Sequence, residues 1–221
     1  MEQVNLFTVR YVKVFLTKSY YKRHRATCTV VESTTATVKG LDPVHILSPK
    51  FTSSFNFDIL AKFHNSEVGN LCRTDNLITS FGLQMYRNVE AKKSKKEEKR
   101  KSVMSDMRRL AHLLLEFKEQ CETNGNAVAK LLSAVNMFDR GNFHSLELSI
   151  LALTITEETG HTKAGLKIGY GYLIKRVIKF ITGEFLIQKK DAEVDEIKHS
   201  SDLLEFCWPG IFGDAEYKIT A

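Results

Sequence analysis

A histidine and a cysteine near the start of the sequence have the spacing of half a zinc finger. His24 and Cys28 stand with three residues between them, as in the second half of a C-x2-C…H-x3-C finger. On the usual finger spacing the two front ligand positions fall on Thr8 and Tyr11, which are not usual zinc ligands. Two interpretations stay open, namely a degenerate finger and a chance pairing of surface residues. In both cases we predict no bound metal.

Common short motifs of nucleotide-binding and hydrolytic enzymes are missing from the sequence. It contains no G-x-x-x-x-G-K-[ST] phosphate loop, no H-E-x-x-H helix and no G-x-S-x-G elbow. The adjacent acids Glu157-Glu158 and Asp195-Glu196 would point to different faces of a helix, so they cannot readily share a proton transfer. We therefore predict that the chain is not an enzyme and has no catalytic residues and no cofactor.

Positive charge is concentrated in two short stretches and negative charge in the tail. Residues 1–25 carry six basic side chains against one acid, and residues 92–101 carry seven against two. Residues 183–221 carry nine acids against four lysines. A basic surface can steer a protein toward a polyanion such as nucleic acid. Two other interpretations stay open: the charges only solubilise the chain, or the acidic tail pairs with the chain's own basic face.

Basic side chains in the middle of the sequence are the candidate contacts to DNA phosphates. The candidates are Lys92, Lys93, Lys95, Lys96, Lys99, Arg100 and Lys101, with Arg108 and Arg109. A second set recurs at near-helical spacing, at Lys163, Lys167, Lys175, Arg176 and Lys179. Such a stripe can touch successive phosphates, although an ordinary polar helix face has the same pattern. The run at 92–101 is also typical of a nuclear-import signal.

Length and composition are typical of a globular intracellular protein. The chain has 221 residues, of which 43% are hydrophobic and 26% charged, enough for one domain or two small ones. No apolar run reaches the roughly 18 residues of a membrane span, and no secretory signal is visible. The four cysteines, at 28, 72, 121 and 207, are widely spaced, which predicts reduced thiols. We expect an intracellular protein, nuclear rather than cytoplasmic, without a membrane partner.

Hydrophobic periodicity predicts a mainly α fold, a multi-helix bundle with a small N-terminal appendage of short strands. We predict helices over 55–63, 75–90, 102–123, 127–138, 146–155, 162–183 and 191–207. The charge run at 92–101 is either a solvated loop or the exposed start of the third of these helices. Three parts follow: an N-terminal segment at 1–50, a helical domain at 55–208, and a C-terminal tail at 209–221. Pro209 is expected to end the last helix.

Six stretches of the sequence carry a family resemblance. They are 21–28 (YKRHRATC), 65–70 (NSEVGN), 73–78 (RTDNLI), 107–115 (MRRLAHLLL), 164–170 (AGLKIGY) and 202–208 (DLLEFCW). In order and spacing they resemble uncharacterised fish and invertebrate proteins related to Crypton-type tyrosine recombinases. Those proteins combine an N-terminal zinc finger, a helical region and a C-terminal recombinase-like domain.

What the resemblance implies is a DNA-associated protein without the recombinase reaction. That reaction uses arginines and a His-x-x-Arg to hold the scissile phosphate while a tyrosine attacks it. The sequence contains no His-x-x-Arg, and its last tyrosine, Tyr217, stands without those partners, so no catalytic residue carries over. The resemblance implies a stand-alone helical region of a mobile-element-derived protein, with the catalytic domain absent.

Two functions are therefore expected. The first is a non-catalytic helical domain that associates with DNA through non-specific phosphate contacts. The alternative is a protein-protein interaction module with no nucleic-acid binding, whose charges only solubilise it. Salt-dependent binding to duplex DNA separates the two, because only the first predicts it.

Overall fold

The chain divides into two compact units, Met1–Thr37 and Val38–Ala221. The computed structural model describes residues 7–9, 12–16, 49–90, 96–125, 129–156 and 159–220. In the first unit, β1 (Phe7–Val9) and β2 (Val12–Leu16) pair antiparallel, with Phe7 opposite Leu16. This pair corresponds to the predicted appendage of short strands. The finger-like residues His24 and Cys28 lie outside the described residues.

Seven α-helices make up the described part of the second unit. They are α1 (Pro49–Asp58), α2 (Glu67–Thr74), α3 (Asn76–Glu90), α4 (Lys96–Thr123), α5 (Phe143–Thr154), α6 (Ala164–Ile187) and α7 (Asp191–Thr220). Short 3₁₀ turns lie at Leu60–Lys62, Ala129–Leu131, Ala134–Phe138 and Arg140–Asn142. The predicted mainly α, multi-helix fold is confirmed. Within the described ranges, each helix is too short or too polar to cross a bilayer.

Helix α4 lies at the centre of this bundle, in contact with α2, α3, α5 and α6. Its buried residues are Val103, Met104, Asp106, Met107, Leu110, Ala111, Leu113, Leu114, Phe117 and Cys121. At 100° per residue they cover about half of the helix circumference, which is wider than the stripe of a surface helix. Burying each of the larger apolar side chains stabilises the fold by about 1.5–3 kcal/mol. The other helices are therefore arranged around α4.

Helices α6 and α7 pack antiparallel along most of their lengths. A Cβ atom at Gly171 of α6 would lie 2.6 Å from the indole of Trp208 on α7, so a glycine is required for this close approach. Lys189, in the connection between them, adopts the left-handed conformation at φ 54°. The Lys190 N–H donates to the Phe185 carbonyl at 3.0 Å, which ends α6 at its last turn.

Two predicted helix ends are wrong, because the burial of apolar residues beyond them outweighs the helix-breaking preference of a proline or a glycine. The last helix does not stop before Pro209 but continues to Thr220 with the proline inside it. Ile211, Phe212 and Ala215, which follow Pro209, are at most 2% exposed. Their burial offsets the roughly 3 kcal/mol that an internal proline costs. Likewise α6 passes Gly183 and ends at Ile187, because Phe185 is fully buried.

The segment before α5 is not the helix predicted at 127–138. It forms 3₁₀ turns instead, because side chains take the backbone groups that a helix would use. Asn136 Oδ1 accepts from the Ser133 N–H at 2.8 Å, and Asp75 Oδ2 accepts from the Ala134 N–H at 3.0 Å. Asp75 Oδ1 also caps α3 by accepting from the Ile78 N–H at 3.0 Å, as the sequence predicts for a capping residue. One buried carboxylate thus joins the start of α3 to a turn 59 residues further on.

Helix α2 was not predicted from apolar periodicity. It begins after Ser66, whose hydroxyl accepts from the Gly69 N–H at 3.1 Å. With eight residues it is too short to show a repeated apolar pattern, and only Gly69 and Cys72 are buried in it.

We expect Asp75→Ala to lower the free energy of unfolding by about 2–3 kcal/mol, because two buried N–H groups lose their acceptor. Urea denaturation measures the change. Asp139→Ala is the matched control, since the Asp139 carboxylate accepts only from the exposed Gly141 N–H at 2.9 Å and its loss should cost less than about 1 kcal/mol. Equal losses in the two variants would show that Asp75 does not couple the two segments.

Candidate nucleic-acid interface

The described part of the basic run, residues 96–101, forms the first turns of α4. Of the two sequence interpretations, the exposed helix start is the one observed for residues 96–101, because α4 begins six residues before the predicted start at 102. Lysine, glutamate and arginine are good helix formers, and Glu97 and Glu98 lie in the first turn, where acids favour the helix dipole. The Lys101 ammonium lies 3.3 Å from the Glu97 carboxylate, one turn earlier. Lys92, Lys93 and Lys95 lie outside the described residues.

Lys96, Lys99 and Lys101 lie in the first two turns of α4, and we call them together the α4 basic surface. Lys96 and Lys101 are exposed and Lys99 is half-buried. The ion pair of Lys101 with Glu97 is open to solvent on both sides and contributes at most about 1 kcal/mol. Lys96 and Lys101 are therefore exposed enough for a phosphate to approach them.

Arg100 points inward from the same turns. Its guanidinium lies 2.9 Å from the Asp58 carboxylate and 5.6 Å from the centroid of the Tyr86 ring. The Tyr86 hydroxyl donates to the same carboxylate at 2.6 Å. These three side chains come from α1, α3 and α4, so Arg100 joins three helices at the edge of the core. Its position fits a structural contact better than a phosphate contact.

Arg108 and Arg109 also contact the protein itself. The Arg108 guanidinium stands 5.2 Å from the centroid of the Phe63 ring, where a cation–π contact stabilises the turn after α1. Arg109 approaches α6 beside Gly169, since a Cβ there would lie 3.5 Å from its guanidinium nitrogen. Burial raises the pKa of the neighbouring Tyr170 to about 12, although the Arg109 charge opposes this.

The second basic set, on α6, is mostly paired with acids. Lys167 is only 3% exposed, and its ammonium lies 2.8 Å from Asp214 of α7. Hydrogen bonding by Lys167 is the main reason that the pKa of Asp214 is lowered, and the Thr162 hydroxyl also donates to it. Arg176 lies 2.9 Å from Asp106 of α4. In this set Lys163 and Lys179 are exposed.

Within the described residues, acids of the tail pair with basic residues that lie outside the two basic stretches of the sequence. Besides the pair formed by Asp214, Glu205 of α7 lies 2.9 Å from Lys175, whose ammonium stands 3.7 Å above the Trp208 ring. Glu196 of α7 receives a forked hydrogen bond from Arg140 at 2.9–3.2 Å. The acids of α7 therefore neutralise basic residues of α6 and of the turn before α5.

Thiols and metal ligands are scattered through the part of the chain that the structure describes. Cys72, Cys121 and Cys207 are free thiols. Burial raises the pKa of Cys72 to about 11 despite the nearby Arg108 and Arg73, which makes it unreactive at neutral pH. Across the described ranges, no three His, Cys, Asp or Glu side chains converge to hold a metal ion.

Comparison with known proteins gives no relative for this chain. No model of a known protein family matches it, and neither does any curated protein or any solved structure. The likeness to Crypton-related proteins therefore stays a prediction from the six sequence stretches.

Replacing Arg100 should affect stability rather than surface charge alone. We expect Arg100→Met to lower the free energy of unfolding by about 1–3 kcal/mol, because Asp58 would lose its charged partner next to the core. Lys101→Met removes the same charge one residue later and should change it by less than about 0.5 kcal/mol. Thermal and urea unfolding measure both. If the two variants are equally stable, Arg100 is not a structural contact.

The Lys167–Asp214 pair should make stability depend on acid pH. The folded-state pKa of Asp214 lies below its usual 3.8, so the pair contributes fully above about pH 5 and is lost as the pH falls through the folded pKa. We expect Asp214→Asn to cost about 1–2 kcal/mol at pH 7, less than for a fully buried pair because Asp214 is 45% exposed.

The difference between Asp214→Asn and the native protein should shrink as the pH is lowered from 5 toward 3, as followed by urea unfolding at each pH. Asp195→Asn is the control, because Asp195 and Lys198 form an exposed pair at 3.2 Å that should contribute less than about 0.5 kcal/mol. A pH-independent difference for Asp214→Asn would contradict the ion-pair account.

Proposed function

We propose that this chain is a non-catalytic helical protein that binds the phosphate backbone of DNA through the α4 basic surface. The observation that carries the proposal is the division of roles along the first turns of α4. Lys96 and Lys101 face solvent, whereas Arg100 between them is fixed to Asp58 beneath. A rigid helix therefore presents lysines outward, and lysine is a flexible point charge suited to non-specific phosphate contacts.

Charge balance in the helical unit supports this location. Residues 92–109 hold nine basic and three acidic side chains, whereas the rest of Val38–Ala221 holds seventeen basic and twenty-one acidic ones. The unbalanced positive charge thus belongs to one stretch, while Lys167 and Lys175 of α6 are neutralised by acids of α7. A polyanion would be attracted to that stretch and repelled from much of the remaining surface.

Helix electrostatics support it as well. The start of an α-helix carries a partial positive charge, so lysines there are unfavourable by about 0.3–1 kcal/mol each at low ionic strength. Glu97 and Glu98 offset part of this effect. A phosphate beside the first turn would be stabilised by the helix dipole and by the lysines together. As part of the same proposal, the protein acts in the nucleus and originates from a mobile element.

A protein-interaction module is the second candidate function. The observation that favours it is the exposure of large aromatic side chains on α7, with Phe206 84% and Tyr217 74% exposed. Exposed apolar side chains that lie close together can mark a surface that contacts another protein. Binding to DNA and to a protein use different faces of the molecule in this account, so each can be tested separately.

The test is the salt dependence of binding to a random-sequence 20-base-pair duplex, measured by fluorescence anisotropy with the full chain. With about six phosphate contacts we expect affinity to fall about a thousand-fold between 50 and 200 mM salt. Replacing Lys96, Lys99 and Lys101 together by alanine should reduce the slope of log K against log salt by about 2–3.

The matched control replaces three exposed lysines elsewhere, Lys163, Lys179 and Lys218, and removes the same net charge. It should change the slope by less than about 1, because those residues lie outside the proposed contact. Equal changes of the slope in the two triple variants would show that binding depends on net charge alone and not on the α4 basic surface. Absence of binding at 50 mM salt and 100 µM protein, about the weakest non-specific affinity expected, would remove the proposal.

A further inference from the structure

Two aromatic side chains are exposed on the outer side of α7. Phe206 is 84% exposed and Tyr217 is 74% exposed. They lie eleven residues apart, which is close to three turns, so both face away from the buried Leu204 and Ala215. At a rise of 1.5 Å per residue, the two positions are about 16 Å apart along the helix. We call this side of the helix the α7 outer face.

Acidic residues lie beside both rings. Asp202 comes four residues before Phe206, and it is exposed. Asp214 comes three residues before Tyr217, and although it is ion-paired, 45% of its side chain stays open to solvent. Spacings of three and four residues make two side chains neighbours on a helix surface. Residues 200–220 hold four acids against one lysine, so each exposed ring lies beside a carboxylate on a face that is negative as a whole.

The same helix shows what an acid and an aromatic ring at this spacing bind. The Lys175 ammonium of α6 stands 3.7 Å from the centroid of the Trp208 ring and 2.9 Å from the Glu205 carboxylate. Glu205 comes three residues before Trp208, which is also the spacing of Asp214 and Tyr217. The face of the ring and the carboxylate both attract a cation. The chain's own lysine thus occupies one aromatic–acid pair of α7, and two similar pairs are exposed on the α7 outer face.

We propose that the α7 outer face binds a lysine- and arginine-rich segment of another protein. One cationic side chain lies over Phe206 beside Asp202, and a second lies over Tyr217 beside Asp214. Their separation of about 16 Å corresponds to about five residues of an extended segment or eleven residues of a helix. This proposal rests on the second candidate function, a protein-interaction module, and names the chemistry of its partner. It is independent of DNA binding by the α4 basic surface.

Charge complementarity favours this partner over the alternatives. A second copy of the chain would bring the same acids together, and nucleic acid would be repelled by them. A neutral apolar partner would gain little, because two rings supply roughly 300–500 Å² and a stable interface needs about 1,200 Å². A basic segment gains from the rings and from the acids at once. Because these contacts are open to solvent, the binding is weak and decreases with salt.

Binding of octalysine tests the proposal. Fluorescein-labelled octalysine, about 26 Å long when extended, is titrated with the full chain at 50 mM salt and followed by fluorescence anisotropy. We expect a dissociation constant of about 100 µM, and weaker binding at 200 mM salt. Phe206→Ser and Tyr217→Ser should each raise the constant about five-fold, because each removes a cation–π contact. Asp202→Asn should raise it about three-fold.

Phe57→Ser and Glu119→Gln are the matched controls. Phe57 on α1 is 77% exposed, Glu119 on α4 is an exposed acid, and both lie outside the α7 outer face. Each should change the dissociation constant less than about 1.5-fold. Absence of octalysine binding at 500 µM protein overturns the proposal. Equal effects of the α7 variants and the controls also overturn it, because binding would then depend on net charge alone.

A labelled peptide of serine and leucine, eight residues long, separates the chemistry of the partner from the interaction function. We expect no binding of this peptide at 500 µM protein. If it binds through Phe206 and Tyr217 while octalysine does not, the basic partner is wrong and the interaction function stands. Duplex DNA binding by Phe206→Ser and Tyr217→Ser should equal that of the native protein, so a failure of the DNA proposal is seen separately.

Discussion

The whole helical unit depends on the burial of α4 from several sides. Ten of its residues are buried, and helices before and after it in the sequence pack on it. Such burial leaves about half of the helix circumference at least partly open to solvent, together with Lys96 and Lys101 in its first turns. What α4 can present to a partner is therefore fixed by the core, because the residues that hold it leave Lys96 and Lys101 outside.

Charge pairing within the unit gives several basic residues of α6 an acidic partner. Lys167, Lys175 and Arg176 would look like a phosphate-binding stripe in a helical projection, yet each has a carboxylate partner within 2.9 Å. Two of these partners lie on α7, so the α6–α7 pair is an electrostatic contact as well as an apolar one. Which part of the molecule carries the excess positive charge therefore depends on how the helices pack, because packing brings acids beside the basic residues of α6.

Much of the fold could be predicted from the sequence, because apolar periodicity reports helices that are long and buried on one side. Helices α3, α5 and α6 began within a few residues of the predicted positions. Helix ends and the segment at 127–138 could not be predicted, because they depend on distant contacts such as Asp75 with Ala134. Pro209 is the clearest case, since burial of Phe212 overrides its local preference.

Less of the candidate site could be predicted. The sequence identified the basic run but could not separate Arg100 from its lysine neighbours, because only packing brings Asp58 and Tyr86 beside it. Arg108 and Arg109 were grouped with the run for the same reason. The signal that could have helped is the residue type, since a planar guanidinium is favoured over an ammonium for contacts with carboxylates and aromatic rings.

The central claim is that packing leaves Lys96 and Lys101 of α4 outward and pairs Lys167 and Lys175 of α6 with acids of α7. Acetylation of lysines with and without duplex DNA, read by mass spectrometry of the full chain, tests it most directly. The account predicts that Lys96, Lys99 and Lys101 lose reactivity when DNA is added, while Lys167 and Lys175 react slowly in both states. Protection by DNA of Lys175 and its neighbours on α6, with the α4 lysines unchanged, would contradict it.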